Sequence, residues 1–241
     1  MMPDKNQHTG APKEQVEAMF DSISRHYDRL NRILSMGTDR RWRSKAVDLI
    51  GLNIKPVNIL DVATGTGDLA IEALKLGPRK VTGIDISGKM LEEGRRKITR
   101  LGLGERIELV KGDSQAMEFS DESFDVAMSA FGVRNFEDTV AGLREMLRVL
   151  RPGGMLMVLE FSRPSGFPLK QIYGLYFRRI LPRIGKKVSG DPDAYTYLPE
   201  SVMSFPDNER FLELMLRSGF TGVKQTRLTG GIASIYHGFR P

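Results

Sequence analysis

Asn58-Ile-Leu-Asp-Val-Ala-Thr-Gly-Thr-Gly-Asp68 reads as a short apolar strand running into a glycine turn. A second strand, Val81-Thr-Gly-Ile-Asp-Ile86, brings the carboxylate of Asp85 to its tip, 24 residues after Asp61. Ile59 and Leu60 suit a strand buried on both faces, as parallel strands are. Gly65 and Gly67 let the backbone turn tightly and approach a ligand where a side chain would collide. An acid at the end of the neighbouring parallel strand sits where it accepts hydrogen bonds from both hydroxyls of a ribose. The pair indicates an α/β fold and a ribose-bearing ligand, without saying which one.

The glycine pattern alone has three readings. Gly65-x-Gly67-x-x-Ala70 fits the relaxed dinucleotide fingerprint. Asp61-x-Ala63-x-Gly65-x-Gly67 fits equally the acidic-x-Gly-x-Gly-x-Gly loop of S-adenosylmethionine (SAM) methyltransferases, with alanine in the first glycine slot. The third reading is a plain strand-to-helix turn, and Asp85 weighs against it.

The chain's 241 residues suit one domain with an elaboration or two and can bury a full core. The absence of cysteine excludes disulfides, thiolate zinc sites and a cysteine nucleophile. His8, His26 and His237 are far apart, which argues against a histidine metal site; no metal is expected. There is no apolar run of 18 residues and no signal-peptide core at the N-terminus, so a cytoplasmic protein with at most peripheral membrane contact is expected.

A net charge of +6 raises nucleic acid and anionic membrane as partners. The segment from Phe161 to Gly190 has no acidic residue. Arg163, Lys170, Arg178, Arg179, Arg183, Lys186 and Lys187 alternate there with aromatic and aliphatic residues, which suits a lipid headgroup interface. A cap helix with a buried apolar stripe and solvated cations fits the same pattern.

Residues 1–14 are expected as a mobile tail and residues 15–241 as a single domain. Helical spacing over 15–50 indicates two or three helices that cap the cofactor edge, and residues 163–200 form the basic insertion. Strands are expected at 57–62, 80–86, 106–111, 124–130 and 154–161, alternating with helices at 66–76, 87–100 and 138–150. That alternation makes βαβ units and a parallel sheet. A further helix is expected to open at Asp207 and close at Gly219, before two runs at 222–228 and 231–238 joined by Thr-Gly-Gly. A closing hairpin requires one antiparallel strand. The expected architecture is therefore the seven-stranded, mostly parallel sheet of class I SAM-dependent methyltransferases (Rossmann-like) rather than the six-stranded dinucleotide sheet.

Several further segments resemble the quinone C-methyltransferases of menaquinone and ubiquinone biosynthesis, the demethylmenaquinone methyltransferase family. They include Phe20-Asp-Ser-Ile-Ser-x-x-Tyr-Asp28, Asn31-x-x-Leu-Ser-Met-Gly37, Phe131-Gly-Val-Arg-Asn135, Leu150-Arg-Pro-Gly-Gly154, Leu159-Glu-Phe-Ser162, Leu181-Pro-Arg-Ile-Gly185, Tyr195-x-Tyr-Leu-x-Glu-Ser201 and Leu228-Thr-Gly-Gly231. The matching stretches span residues 20–238. Relatives often have serine just before the Phe-Gly pair, where this chain has Ala130 preceded by Ser129.

The resemblance implies SAM as cofactor, a polyprenyl naphthoquinol as methyl acceptor and no nucleic acid. It places Gly65, Thr66 and Gly67 against the cofactor, Asp85 on its ribose, and Asp113 and Ser114 at the adenine, with Ile86 or Met117 as the ring's apolar neighbour. For Asp113, a plain turn role is the alternative. Arg134 is the candidate catalytic cation, because it follows strand four at the carboxyl edge where such sheets bind ligands, and a guanidinium that stays protonated holds a quinolate oxygen or orients a water that Asn135 fixes. Its alternative is a surface ion pair with Glu137 or Asp138. Tyr27, Asp28, Tyr195 and Tyr197 are implied as the lining of the quinol pocket.

Two acceptors stay open, the naphthoquinol alone or also the benzoquinol intermediate of ubiquinone synthesis, and so does the choice between monomer and homo-oligomer. The rivals from other classes are a nucleic-acid methyltransferase, a nicotinamide oxidoreductase and a non-catalytic accessory protein of a quinone-synthesis complex. The missing Asn-Pro-Pro-Tyr-like motif argues against the first, the closing hairpin against the second, and the intact loop with Asp85 and Arg134 against the third.

Overall fold

The computed structural model describes residues 10–35, 37–164, 166, 171 and 192–241. Seven strands form one sheet: β1 Asn58–Val62, β2 Lys80–Asp85, β3 Ile107–Lys111, β4 Phe124–Ala130, β5 Leu150–Phe161, β6 Thr221–Leu228 and β7 Ala233–Phe239. Their spatial order is β3-β2-β1-β4-β5-β7-β6, and β7 alone runs antiparallel, between β5 and β6. The chain order reverses at β1 and β4, which pair in parallel, so the cofactor crevice lies outside their carboxyl ends.

The helices are α1 Lys13–Ile23, α2 Tyr27–Leu34, α3 Thr38–Asn53, α4 Asp68–Ala73, α5 Gly88–Arg100, α6 Thr139–Val149, α7 Pro192–Ser204 and α8 Glu209–Arg217. Helices cover both faces of the sheet. One core packs Trp42, Ala46 and Ile50 of α3 and Leu91 and Ile98 of α5 against Ile59, Val126, Met157 and Ile235. The other packs Leu143 and Met146 of α6 and Phe211 and Met215 of α8 against Leu60, Ala127, Val158 and Tyr236. Alternate residues of each central strand serve opposite cores, which is why those strands read as continuous apolar runs.

Three boundaries differ from the sequence reading. The tail expected through residue 14 is docked from Gly10, whose amide donates to the carbonyls of Phe136 and Glu137, both at 3.1 Å. β5 starts at Leu150 instead of 154, because Pro152 stops α6 and Gly153, at φ +75°, forms an irregular start where Phe124 pairs Leu150 and Val126 pairs Met155. Asp207 does not cap α8; Asn208 holds that place with φ 58°. The Asp207 carboxylate is buried and receives the Arg163 guanidinium at 2.5 Å and the Arg163 amide at 2.7 Å. Arg163 is thereby removed from the cations assigned to the lipid-facing segment. Most of that segment, residues 167–170 and 172–191, and the Tyr195 side chain lie outside the described residues.

Candidate active site

The glycine loop leaves β1 through Ala63, Gly65 and Gly67, all in the left-handed region at φ 56°, 57° and 81°. A side chain at Gly65 would also meet Met90 Cε at 3.1 Å. Beneath the loop, Asp61 is buried; its Oδ2 accepts the Thr64 hydroxyl at 2.6 Å and its Oδ1 has no partner. Burial raises its carboxyl to about 7, opposed chiefly by the Thr64 hydrogen bond.

Asp85 closes the other side of the loop. Its Oδ2 accepts Gly65 N at 2.8 Å and its Oδ1 accepts Ser87 N at 2.9 Å. Burial raises its carboxyl to about 6 in spite of those two donors. Two protein N–H groups leave further lone pairs on each oxygen, and those borders face a cleft of about 680 Å³ that counts its open mouth. The cleft is walled by Gly65, Asp85, Ile86, Met90, Asp113, Ser114, Ala130, Phe131 and Asn135, and α1 covers it with Lys13, Val16 and Phe20. Its apolar walls and a carboxylate with free lone pairs suit a nucleoside bearing a ribose.

The cap is tied down around this cleft. Ser87 Oγ donates to Asp21 at 2.6 Å, Lys111 pairs with Glu17 at 2.7 Å, and Lys13 reaches Asp113 Oδ2 at 3.4 Å. Asp113 borders the cleft, and its Oδ1 accepts Gln115 N at 2.8 Å as a turn residue does. Ile86 lines the cleft together with Met90, whereas Met117 is packed in the core. Ala130 takes the wall, and Ser129 is wholly buried with an unpartnered hydroxyl, so no hydroxyl comes from either position.

A smaller hollow adjoins the cleft across Tyr27 and Phe131, bounded by Asn31, Ser35, Asp39, Arg43, Arg134 and Phe161. Arg134 is not on the surface. It is 5% exposed, and its Nη1 donates to both oxygens of Glu160 at 3.2 and 3.3 Å and to the Phe131 carbonyl. The expected alternative of a surface pair with Glu137 or Asp138 is thereby corrected: Asp138 caps α6 instead, accepting Val140 N and Ala141 N. Glu160 is wholly buried; burial raises its carboxyl, opposed mainly by the charge of Arg134. The guanidinium lies 5.5 Å from the Phe161 ring centre, and its Nε is buried without a partner. Asn135 Oδ1 accepts the Tyr197 hydroxyl at 3.1 Å, which joins α7 to the loop after β4.

Tyr27 touches both the cleft and the hollow, and burial raises its phenol. Asp28 departs from the expected substrate role. Its Oδ1 accepts the Thr66 hydroxyl at 2.6 Å and its Oδ2 pairs with Lys97 at 2.5 Å, so it locks α2 onto the glycine loop and α5. Thr66 is committed in the same network, also accepting Lys97 at 2.9 Å, and borders the space next to Tyr27. Sequence reading assigned no role to Glu160, Asp21, Asn31, Arg43 or Phe161. Glu160 carried a signal, an acid in the otherwise apolar Met155-Leu-Met-Val-Leu-Glu-Phe161; the others carried none apart from the motifs around them.

The sheet order, the glycine loop and the acid at the tip of β2 define a class I SAM-dependent methyltransferase. A SAM-dependent methyltransferase from Thermotoga maritima shares the fold, with a TM-score of 0.65 at 20% identity over 93% of this chain and 99% of that one. The chain belongs to the ubiE/COQ5 methyltransferase family, which matches residues 8–240. A Bacteroides fragilis protein named demethylmenaquinone methyltransferase is 45% identical over 94% of this chain and 93% of its own length. A Geobacter protein named ubiquinone/menaquinone biosynthesis C-methyltransferase UbiE is 46% identical over 93% and 96%.

Proposed function

We infer that this chain methylates a ring carbon of a 2-polyprenyl-1,4-naphthoquinol, converting demethylmenaquinol to menaquinol, with SAM as methyl donor. The observation that carries the reading is Arg134: a buried guanidinium with one unpartnered N–H beside an aromatic-walled hollow that adjoins the ribose-type cleft. Family membership and two relatives near 45% identity over almost the whole chain support the same acceptor. The UbiE name keeps the benzoquinol intermediate of ubiquinone synthesis as a second acceptor.

The residues fit the cofactor. Asp85 offers the acceptor for a ribose diol, Asp113 and Ser114 stand at the adenine end, and Gly65 lets the backbone approach where a Cβ would crowd Met90. Bound SAM supplies an electrophilic methyl group on a sulfonium. The acceptor ring becomes nucleophilic when one hydroxyl loses its proton, and the anion needs a fixed cation in a dry site. Arg134 offers that oxygen the guanidinium N–H groups that Nη1 does not already commit to Glu160 and the Phe131 carbonyl. Phe131, Phe161 and Tyr27 exclude water and stack on the ring. Asn135, oriented by Tyr197, holds the junction of cleft and hollow. Fixing acceptor and donor side by side is worth several kcal/mol of barrier, about 7–11 in well-oriented systems.

The acceptor's tail dissolves in lipid, so the enzyme works at a membrane surface. The test is labelled SAM with a short-chain demethylnaphthoquinol, against a benzoquinol analogue and tRNA. Arg134→Ala is expected to keep SAM affinity and lose at least about a hundredfold in turnover, the loss typical of one preorganised donor. Unchanged turnover would end the role of Arg134, and methylation of tRNA alone would replace the acceptor.

A further inference from the structure

Residues 24–45 hold seven Lys or Arg and two acids, Asp28 and Asp39. Both acids are used inside the protein, Asp28 on Lys97 and Thr66, and Asp39 on Arg43 at 2.7 Å and the Ser35 hydroxyl at 2.7 Å. Facing solvent are Arg25, Arg29, Arg32, Arg40 and Arg41, all exposed. None of the five donates a hydrogen bond or makes an ion pair among the described residues. A neighbouring recess adds Arg100 on α5 to Arg25, while the other cations on its border, Arg96 and Lys97, are paired with Glu93 and with Asp28 and Asp68. Elsewhere surface cations such as Lys80, Lys111 and Arg151 sit 2.7 Å from a carboxylate.

The same short stretch has an inner side. Tyr27, Asn31 and Ser35 and, on α3, Asp39 and Arg43 wall the hollow beside Arg134. One pair of helices thus lines the acceptor hollow on one side and offers unneutralised arginines on the other. Guanidinium groups match the phosphates of lipid headgroups, and each adds about fivefold to partitioning onto an anionic surface. We propose that the outer face of residues 25–41 is the docking surface for an anionic bilayer, seating the hollow at headgroup level so that a quinol with a polyprenyl tail reaches Arg134 without leaving the lipid. This rests on the lipid acceptor proposed above; it assigns the contact to residues of the N-terminal cap and not to the basic residues of the 163–200 stretch.

The test uses the full chain and a fourfold variant, Arg25→Gln, Arg29→Gln, Arg40→Gln and Arg41→Gln, beside a second variant with Arg178, Arg179, Arg183 and Lys186 changed to Gln. Sedimentation is measured with phosphatidylglycerol-containing and pure phosphatidylcholine vesicles over a salt series. The expected result is salt-sensitive binding to the anionic vesicles only, reduced on the order of a hundredfold or more in the cap variant. Turnover of a detergent-free short-chain quinol stays at the parent value in that variant. Binding retained by the cap variant but lost in the other overturns the proposal, as does equal binding to neutral vesicles. Tighter, cap-dependent binding to tRNA than to anionic vesicles also overturns it, in favour of nucleic acid. If the parent protein fails to methylate the short-chain quinol, the acceptor reading fails, and the vesicle measurement still decides the docking surface.

Discussion

Replacing Glu160 by glutamine separates the holding of Arg134 from its chemistry. The two side chains are 0% and 6% exposed. The carboxylate accepts Arg134 N at 3.2 Å, Arg134 Nη1 at 3.2 and 3.3 Å, and Phe161 N at 3.0 Å. Glutamine keeps the shape, but its amide nitrogen must take the place of one oxygen. Every neighbour there is an N–H, so a donor then faces a donor and the buried guanidinium loses its counter-charge. Removing one partner of such a pair costs about 3–5 kcal/mol. With a urea slope of about 2–3 kcal/mol/M, the unfolding midpoint falls by about 1–2 M. Turnover falls with it, while SAM affinity, set in the Asp85 cleft, changes little. The decisive arm is Arg134→Met with Glu160→Leu. Replacing both charges by apolar groups of similar size is often neutral or stabilising, but leucine leaves the Arg134 and Phe161 amides without their acceptor, so the double variant should unfold above the single variant and remain inactive. A single variant that unfolds at the parent midpoint, or a double variant that regains turnover, would refute the reasoning.

Two further outcomes follow from the loop and its acids. Asp85 sits at about 6 because burial disfavours its charge; ribose hydroxyls donate to the ionised form, so SAM binding expels the proton and tightens as pH rises through 6. Calorimetry should give up to about tenfold weaker binding at pH 5 than at pH 7, flattened in Asp85→Asn, and a pH-independent affinity removes Asp85 from the ribose. Ala63 holds φ 56° where the loop pattern otherwise has glycine. The left-handed region costs an L-residue about 1–2 kcal/mol and glycine's extra chain entropy returns about 0.5–1. Ala63→Gly should therefore stabilise the protein by about 0.5–1 kcal/mol in urea unfolding. A loss of that size instead would mean that the methyl, stacked over Gly132, contributes more by packing than the backbone loses by strain.

What could be read without coordinates divides along a physical line. Strand positions, the antiparallel closing strand and the Gly65, Asp85 and Asp113 cleft were legible, because each rests on a local rule: apolar runs, glycine at positive φ, an acid at a strand tip. The partners of charged side chains were not, because pairing is decided by approach in space. Arg134 was marked by its motif, yet its partner lies 26 residues on, at the end of β5. Asp28 was read as substrate lining, yet its neighbour in space is Lys97, on α5. In both places the ion pair joins residues far apart in the chain, and a buried charge such as Arg134 needs its counter-charge far more than an exposed one does. A polar residue inside an apolar strand, as at Asp61 and Glu160, is therefore the sequence feature that carries most information about the site and the least about its partner. The pairing in turn assigns the roles. Asp28, Thr66 and Lys97 fasten the cap to the glycine loop, and Glu160 fastens Arg134 through Nη1, which leaves Asp85 and the rest of the Arg134 guanidinium as groups still with capacity to bind something else.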